Sequence, residues 1–305
     1  MSNFVAKRLL EMLVALLLMS MIVFALGRLT GDPIALLLSE YASEEDRIEL
    51  TRQLGLDKPL LEQYAIFISN ALQGDLGRSV VGERPTAVEL IAERLPASLQ
   101  LACAAFVLSL SIGIPLGVLA AVKRGTAVDT AARVAALLGQ SVPAFWLGIV
   151  LMYFFSVQLG WLPTSGSGSL AHLVLPTVSM ALFTVAAITR LVRVSMIDAL
   201  GSEYIKLARV KGVPERVVIW KHALRNSLIP VLTYMGAFFA TMITGAVVIE
   251  TVFSWPGIGR LAYESILNRD FPVMQAVVLV MTVLFMLANL TVDIAYAWLD
   301  PRIKR

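Results

Sequence analysis

The sequence runs to 305 residues, of which 58% are hydrophobic and only 15% charged, and its mean hydropathy is +0.78. That composition lies outside the range of soluble globular domains and points to a chain embedded in a bilayer. The net charge of +3 is too small to argue for nucleic acid as a partner, and the single cysteine, Cys103, excludes an intrachain disulfide.

Stretches without Asp, Glu, Lys or Arg fall at 12–27, 95–122, 134–189, 226–249 and 271–292. About 20 residues of helix cross the hydrocarbon core. The third stretch is too long for one crossing, and the tract Thr164-Ser165-Gly166-Ser167-Gly168-Ser169 divides it. The pattern predicts an all-α membrane protein with six transmembrane helices, at roughly 9–28, 97–122, 132–156, 172–192, 228–251 and 273–297.

Residues 1–28 are read as the first transmembrane helix. Lys7-Arg8 before an apolar run also resembles a secretory signal, but the run is long for one. Residues 29–95 form an outer loop with, counting Arg28 at its edge, twelve acids against seven bases. Two short helices are expected in it. Ser43 is placed to cap one whose first turn is Glu44-Glu45-Asp46, which suits the positive end of the helix dipole, and Gly55 ends it. Asp57 and Pro59 start a second, closed by Gly74, whose apolar positions at Leu60, Tyr64, Phe67 and Ile68 lie against the membrane surface or the span bundle.

Gly113 and Gly117 flank Pro115 in the second span, and Gly139, Pro143 and Gly148 recur in the third. Small residues let helices approach closely or bend, so these are read as packing features rather than pore lining. The two halves of the chain differ, one with a long outer loop and the other with a long basic inner segment, so no internal repeat is expected.

Between Arg190 and Arg225 the chain carries eight cations against three acids. A charge at mid-membrane costs about 2.5–3.5 kcal/mol on insertion scales, so this segment is an exposed platform. Placing it and both termini in the cytoplasm puts sixteen of the 25 cationic residues inside, as the positive-inside rule requires. Ser202 is expected to cap a helix from Glu203, with Tyr204, Leu207 and Ala208 as an apolar stripe, Lys206, Arg209 and Lys211 on the remaining surface, and Gly212 as the stop. Pro214 starts a second helix with Val217, Trp220 and Leu224 as its stripe. Two readings of this elbow stand side by side. Either the stripes pack on the bundle while the cations meet anionic headgroups, or the first helix is a knob that enters a groove of another protein.

Intramembrane acids are few and sit toward the interfaces: Glu11, expected to pair with Lys7; Glu250, at the outer end of span five; and Asp293, at the inner end of span six, expected to meet Arg190 or Arg193. No G-x-x-x-x-G-K-[ST] phosphate loop occurs, so the chain is not expected to be an enzyme that hydrolyses ATP. His172 and His222 are expected on opposite sides of the membrane, and no H-E-x-x-H or paired-cysteine motif points to a metal. A stand-alone secondary transporter would call for mid-span acids and repeat symmetry, neither of which the sequence carries.

The runs Glu203-Tyr204-Ile205-Lys206-Leu207-Ala208-Arg209-Val210-Lys211-Gly212 and His222-Ala223-Leu224-Arg225-Asn226-Ser227-Leu228-Ile229-Pro230 resemble the cytoplasmic coupling loop of ABC-importer inner-membrane permeases, of the binding-protein-dependent subgroup that carries dipeptides, oligopeptides, nickel or glutathione. Further matches are Gly31-Asp32-Pro33, Leu54-Gly55-Leu56-Asp57, Gly74-Asp75-Leu76-Gly77, Pro143-Ala144-Phe145-Trp146, Trp161-Leu162-Pro163, Glu250-Thr251-Val252-Phe253-Ser254-Trp255-Pro256-Gly257 and Trp298-Leu299-Asp300-Pro301-Arg302. Where the general importer loop has Glu-Ala-Ala and a later Leu-Pro, this chain has Lys206-Leu207-Ala208 and Leu224-Arg225, both typical of the peptide and nickel subgroup. The glutamate contact of other importers is therefore not carried over.

The resemblance implies a type I ABC importer transmembrane fold in a bacterial inner membrane. Residues 96–299 would be its five-helix domain, with a coupling segment at 196–227, and 300–305 a cytoplasmic tail. It further implies that Glu203, Tyr204, Lys206, Leu207, Ala208, Arg209, Lys211 and Gly212 contact a cytoplasmic ATPase. The implied partners are a second homologous permease, two ATPases that hold ATP and Mg, and a periplasmic or lipid-anchored solute-binding protein, with no cofactor in this chain. Peptide is the expected cargo, ahead of glutathione, nickel chelate or opine.

Overall fold

The computed structural model describes the backbone of residues 2–29, 43–53, 55–83 and 85–299; the side chains of 2–6, 29, 46, 50, 53, 229, 233, 293 and 295–299 lie outside the description. Gly31-Asp32-Pro33, the tail 300–305, most of the Trp298–Arg302 motif and the side chain of Asp293 therefore fall outside the described residues. Among the described residues the secondary structure is helical apart from one isolated bridge between Arg78 and Thr86.

The helices are α1 (Ser2–Leu29), α2 (Glu44–Gln53), α3 (Leu60–Leu72), α4 (Ala87–Val122), α5 (Ala127–Ser141), α6 (Ala144–Leu151), α7 (Leu170–Gly201), α8 (Glu203–Val210), α9 (Leu224–Gly245), α10 (Val247–Val252), α11 (Ile258–Leu267) and α12 (Phe271–Leu299). Among the described residues four are long and apolar enough to cross a membrane: α4, α7, Lys7–Arg28 of α1 and Phe271–Val292 of α12. Two bent pairs bring the number to six if each is one span, Ala127–Ser141 with Ala144–Gln158 at 100° and Glu215–Leu228 with Pro230–Gly245 at 47°.

The third span, expected over 132–156, is thus sharply broken rather than bent within one helix. Val142 (ψ 122°) and Pro143 (ψ 133°) are extended. Pro143 has no N–H to continue the ladder and pushes the residue before it out of the helical region, so the helix restarts in a new direction. Beyond Leu151 the chain continues as a π-helical turn, Met152–Gln158.

Contacts group the chain into two compact units, one of residues 1–97 and 256–286, the other of residues 98–255 and 287–305. In the first, α3 lies on α1 as its apolar face requires. The Tyr64 hydroxyl meets that of Ser20 at 2.7 Å, and the Phe24 ring packs 5.5 Å from Tyr64 and 5.8 Å from Phe67. Gly55 and Gly74 stand at the expected helix ends with φ of 64° and 84°. Helix α4 begins at Ala87, earlier than the 97 expected for the second helix. A reciprocal cap starts it: the Glu89 N–H donates to Thr86 Oγ1 at 3.2 Å and the Thr86 N–H to the Glu89 carboxylate at 2.9 Å. Helix α11, between the fifth and sixth expected spans, buries Ile258 and Leu261 with Ala87, Ile91, Val273 and Val277. Asp270, also unanticipated, is buried, accepts hydrogen bonds from the Ser79 hydroxyl and the Val80 N–H, and stands just ahead of α12.

In the second unit α7 is the hub. Gly113 and Gly117 of α4 lie directly on it: a Cβ at Gly117 would sit 2.6 Å from Val192 Cβ and 2.8 Å from the Thr189 carbonyl oxygen, and one at Gly113 2.8 Å from Ile188 Cγ2. The small-residue pair is a packing device, as its spacing indicates. Gly148 does the same against the buried Phe253 ring, 2.9 Å from where its Cβ would stand. Glu250 of α10 is fully buried and accepts a hydrogen bond from Ser98 Oγ at 2.6 Å.

Candidate functional site

The elbow joining α7 to α9 is built as a turn on a rigid base. Helix α8 ends as the glycine requires. The Gly212 N–H donates to the Arg209 carbonyl at 2.9 Å and the Val213 N–H to that of Ala208 at 3.2 Å, the paired bonds of a Schellman cap. Gly212 adopts φ +76°, the left-handed region in which a Cβ is strained. Ser202 stands at the cap position, but its hydroxyl donates back to the Ala199 carbonyl at 2.5 Å and makes no bond to the α8 backbone. The expected side-chain cap is therefore replaced by a bond that closes the end of α7.

Of the two readings left open for the Tyr204-Leu207-Ala208 stripe, packing on the bundle holds for Ala208 alone. Ile205 is fully buried and Ala208 half-buried, whereas Tyr204, Leu207 and Val210 are 43%, 54% and 84% exposed. In an eight-residue helix two apolar sides compete for one core, and the Ile205–Ala208 side takes it. The second half shifts similarly. Glu215–Val217 is a single helical turn and Val218–Ala223 a π-helical one. The extra residue in the wider turn rotates Val218, Ala223 and Leu224 into the core and leaves Val217 and Trp220 exposed.

The buried side joins a continuous apolar cluster with Val118 and Ala121 of α4, Ile188, Val192 and Met196 of α7, and Val231 and Met235 of α9. Ser227 adds a polar tie, donating from its hydroxyl to the Ala223 carbonyl at 2.8 Å with the Ser195 carbonyl at 3.2 Å. The cluster seats the elbow against the helices it joins.

On the outer surface Lys206 pairs with Glu203 at 2.8 Å. Arg209 reaches over the turn to Glu215, Nε at 3.1 Å and Nη2 at 2.7 Å. These hydrogen bonds hold the Glu215 carboxyl below its usual range and raise the Arg209 guanidinium above its own. Lys211 is exposed beside Gly212. Of the eight residues singled out in sequence, Tyr204, Leu207, Lys206, Glu203, Arg209 and Lys211 form the exposed surface of α8 and its end, Ala208 faces the core, and Gly212 turns the chain. Val210, Val217 and Trp220 belong to the same exposed apolar set; Val210 had gone unused, although its position three residues beyond Leu207 is visible in sequence.

A second polar contact, not legible in the sequence, gives Arg193 a partner in Asp129. Its Nε and Nη2 donate to the buried Asp129 carboxylate at 2.5 and 2.9 Å, the Gly125 N–H adds a third bond at 3.0 Å, and Arg133 stands at 3.6 Å. The pair is fork-to-fork, and the contact expected between Asp293 and Arg190 or Arg193 falls outside the described residues. At the other end of the chain Glu11 pairs with Arg8 at 3.0 Å, more closely than with Lys7 at 4.0 Å.

Residues 113–305 match the family described as the binding-protein-dependent transport system inner membrane component, and residues 1–102 match the N-terminal component of the same system. The chain belongs to this family. It is an inner-membrane permease subunit of an ABC importer. It is 44% identical over 306 residues to the glutathione transport system permease protein GsiC of Escherichia coli strain K12, covering 100% of this chain and 99% of that protein, and matches the protein of the same name from Shigella dysenteriae serotype 1 to the same extent. In fold the permease is similar to the MetNI methionine ABC transporter in an inward-facing conformation, at TM-score 0.59 and 19% identity over 69% of this chain and 96% of that one. A second similar structure is an amino acid ABC transporter with histidines, at TM-score 0.50 and 16% identity over 70% and 94%.

Proposed function

We propose that this permease forms half of a translocation pathway for small peptides, glutathione included, and that ATP hydrolysis reaches it through the 203–226 elbow. The observation that carries the coupling reading is the exposure of Tyr204, Leu207 and Val210 on a short helix whose opposite side is sunk in the span core. Apolar side chains held out on a rigid base are complementary to a groove in a partner. The partner is a cytoplasmic ATPase, one of two that carry ATP and Mg, with the cationic fringe of Lys206, Lys211, Arg216 and Lys221 facing its acidic residues. Closure of the two ATPases would then rock the spans as rigid bodies. Both termini lie in the cytoplasm in this reading, a second homologous permease completes the pathway, and an external binding protein delivers the cargo. Identity to a glutathione permease along the full length supports a peptide-like cargo, since glutathione is a tripeptide.

The test is uptake of radiolabelled glutathione and dipeptides by vesicles carrying the complete importer with wild-type or Gly212→Asp permease. A side chain at φ +76° disturbs the elbow alone. The expected result is vanadate-sensitive uptake in wild type and none in the variant at equal membrane insertion. Normal uptake by the variant, or transport without any nucleotide-hydrolysing subunit, would overturn the reading.

A further inference from the structure

We propose that α3 is an interfacial helix whose free stripe of Leu61, Ala65, Ile68 and Leu72 lies in the acyl chains of the leaflet at the Arg28 end of α1. Successive residues of an α-helix turn by about 100°. Tyr64 and Phe67 therefore share one side of α3, and that side meets α1 through Ser20 and Phe24. Leu61, Ala65, Ile68 and Leu72 stand about a quarter-turn further round. This second side is left bare: Leu61 and Leu72 are 83% and 84% exposed, Ala65 is exposed and Ile68 half-buried. The remaining arc is polar. It carries Glu62, ion-paired to Lys58 at 2.8 Å, with Ser69 and Asn70, and Ile66 is its one apolar member.

Depth selects the occupant. The apolar window of α1 runs from Lys7 to Arg28, so Arg28 marks the level at which that span leaves the hydrocarbon. Ser20 and Phe24 lie about 12 and 6 Å short of Arg28 along the helix axis, at a rise of about 1.5 Å per residue. Anchored on those two residues, α3 lies at the depth of an amphipathic helix sunk about 5–10 Å into the boundary between headgroups and acyl chains. Met21 and Ile22 of α1, at the same level, are also exposed apolar side chains, as a lipid-facing level requires. A helix lying beside a span at this depth turns one side to the span, the next to acyl chains and the rest to headgroups and water. That is the order of the three sides of α3. A soluble partner approaching from water would meet the polar arc of Glu62, Ser69 and Asn70 before the leucines. The inference depends on the membrane location of the chain and not on the coupling role of the elbow or on the cargo.

The test uses full-length permease in a Cys103→Ala background, labelled with bimane at Leu61→Cys, Leu72→Cys or Asn70→Cys. Each is reconstituted in vesicles of dioleoylphosphatidylcholine or of its dibrominated analogue. Brominated chains should quench Leu61→Cys and Leu72→Cys as strongly as a label at Leu18→Cys, an exposed position within the α1 span. Iodide on both sides of the vesicles should quench Asn70→Cys and neither leucine position. Ala65→Cys, the smallest change on the same stripe, should repeat the Leu61→Cys result and covers the case in which a leucine substitution alters the fold. The pattern should persist when labelled permease is assembled into the importer with its binding protein. Iodide quenching of the stripe would show that it faces water, and quenching by neither agent would show that protein covers it; either result overturns the proposal. So would bromolipid quenching of Asn70→Cys equal to that of Leu61→Cys. Loss of stripe quenching on assembly would also overturn it, by assigning this face to the second permease or the binding protein.

Discussion

Arg193 of α7 holds the buried Asp129 of α5 with two hydrogen bonds, Nε to Oδ1 at 2.5 Å and Nη2 to Oδ2 at 2.9 Å. The pair pins the first turn of α5 to the end of α7 that leads into the elbow, so the broken third span and the coupling segment share one anchor. Asp129→Ala should strand the guanidinium and lower the melting temperature of the detergent-solubilised permease by several degrees. Arg193→Ala added to it should cost little more, because the interaction is already lost. Additive losses in a double-mutant cycle would show that the two side chains stabilise the protein independently.

The contact between α4 and α7 tolerates no added volume at Gly117, where a Cβ would stand 2.6 Å from that of Val192. Backbone and a β-branched neighbour cannot give way cheaply, so Gly117→Val should destabilise by about 1–3 kcal/mol or more. Thermal unfolding followed by helical circular dichroism reads this directly. A stability equal to wild type would mean that the helices separate without cost.

The exposed side of α8 should behave oppositely. Leu207→Asp changes a residue that is more than half exposed, so stability should stay within about 0.5 kcal/mol of wild type. Affinity for the ATPase subunits, measured by surface plasmon resonance on nanodisc-embedded permease, should fall by at least about tenfold, as for an apolar anchor at an interface. Ile205→Asp, on the buried side of the same helix, should instead unfold the elbow.

Glu215 titrates below its usual value of 4.5 because Arg209 donates to it. A depressed carboxylate contributes stability above the unfolded value and loses it as pH falls through the folded one. The Arg209–Glu215 tie should thus persist from neutral pH down to about 4.5 and weaken only below that. Tryptic cleavage at Lys211 and Arg216, taken relative to an unstructured peptide substrate at each pH, should be constant between pH 8 and pH 6, and faster throughout that range in Glu215→Gln. Both side chains are well exposed, so the increase should be small.

Much of this architecture is legible in the chain because lipid burial is a bulk property. Charge-free stretches mark spans without any knowledge of neighbours, and Gly55, Gly74 and Gly212 end helices by a local backbone requirement that sequence carries in full. The misreadings arise where a local pattern meets a tertiary choice. Pro143 was visible, but the local pattern does not say whether it kinks a span or breaks it, and the helix that follows packs Gly148 against Phe253, from a distant part of the chain. The stripe on α8 was ambiguous because Ile205 and Leu207 both offer an apolar side, and only the core cluster selects between them. The π-helical turn at Val218–Ala223 inserts a residue that no 3.6-residue periodicity anticipates. Asp129 and Arg193, like Ser79 and Asp270, pair across separations that composition and spacing do not encode.

The most direct measurement places a single reporter on the exposed face of α8, as Leu207→Cys in a Cys103→Ala background that removes the other thiol. A membrane-impermeant maleimide should label it only when the cytoplasmic side is open, and a short bifunctional reagent should join it to an ATPase subunit of the assembled importer. Labelling of intact cells from outside, or the absence of that cross-link in a complex that still transports, would contradict the assignment of this elbow as the place where ATP-driven motion enters the membrane.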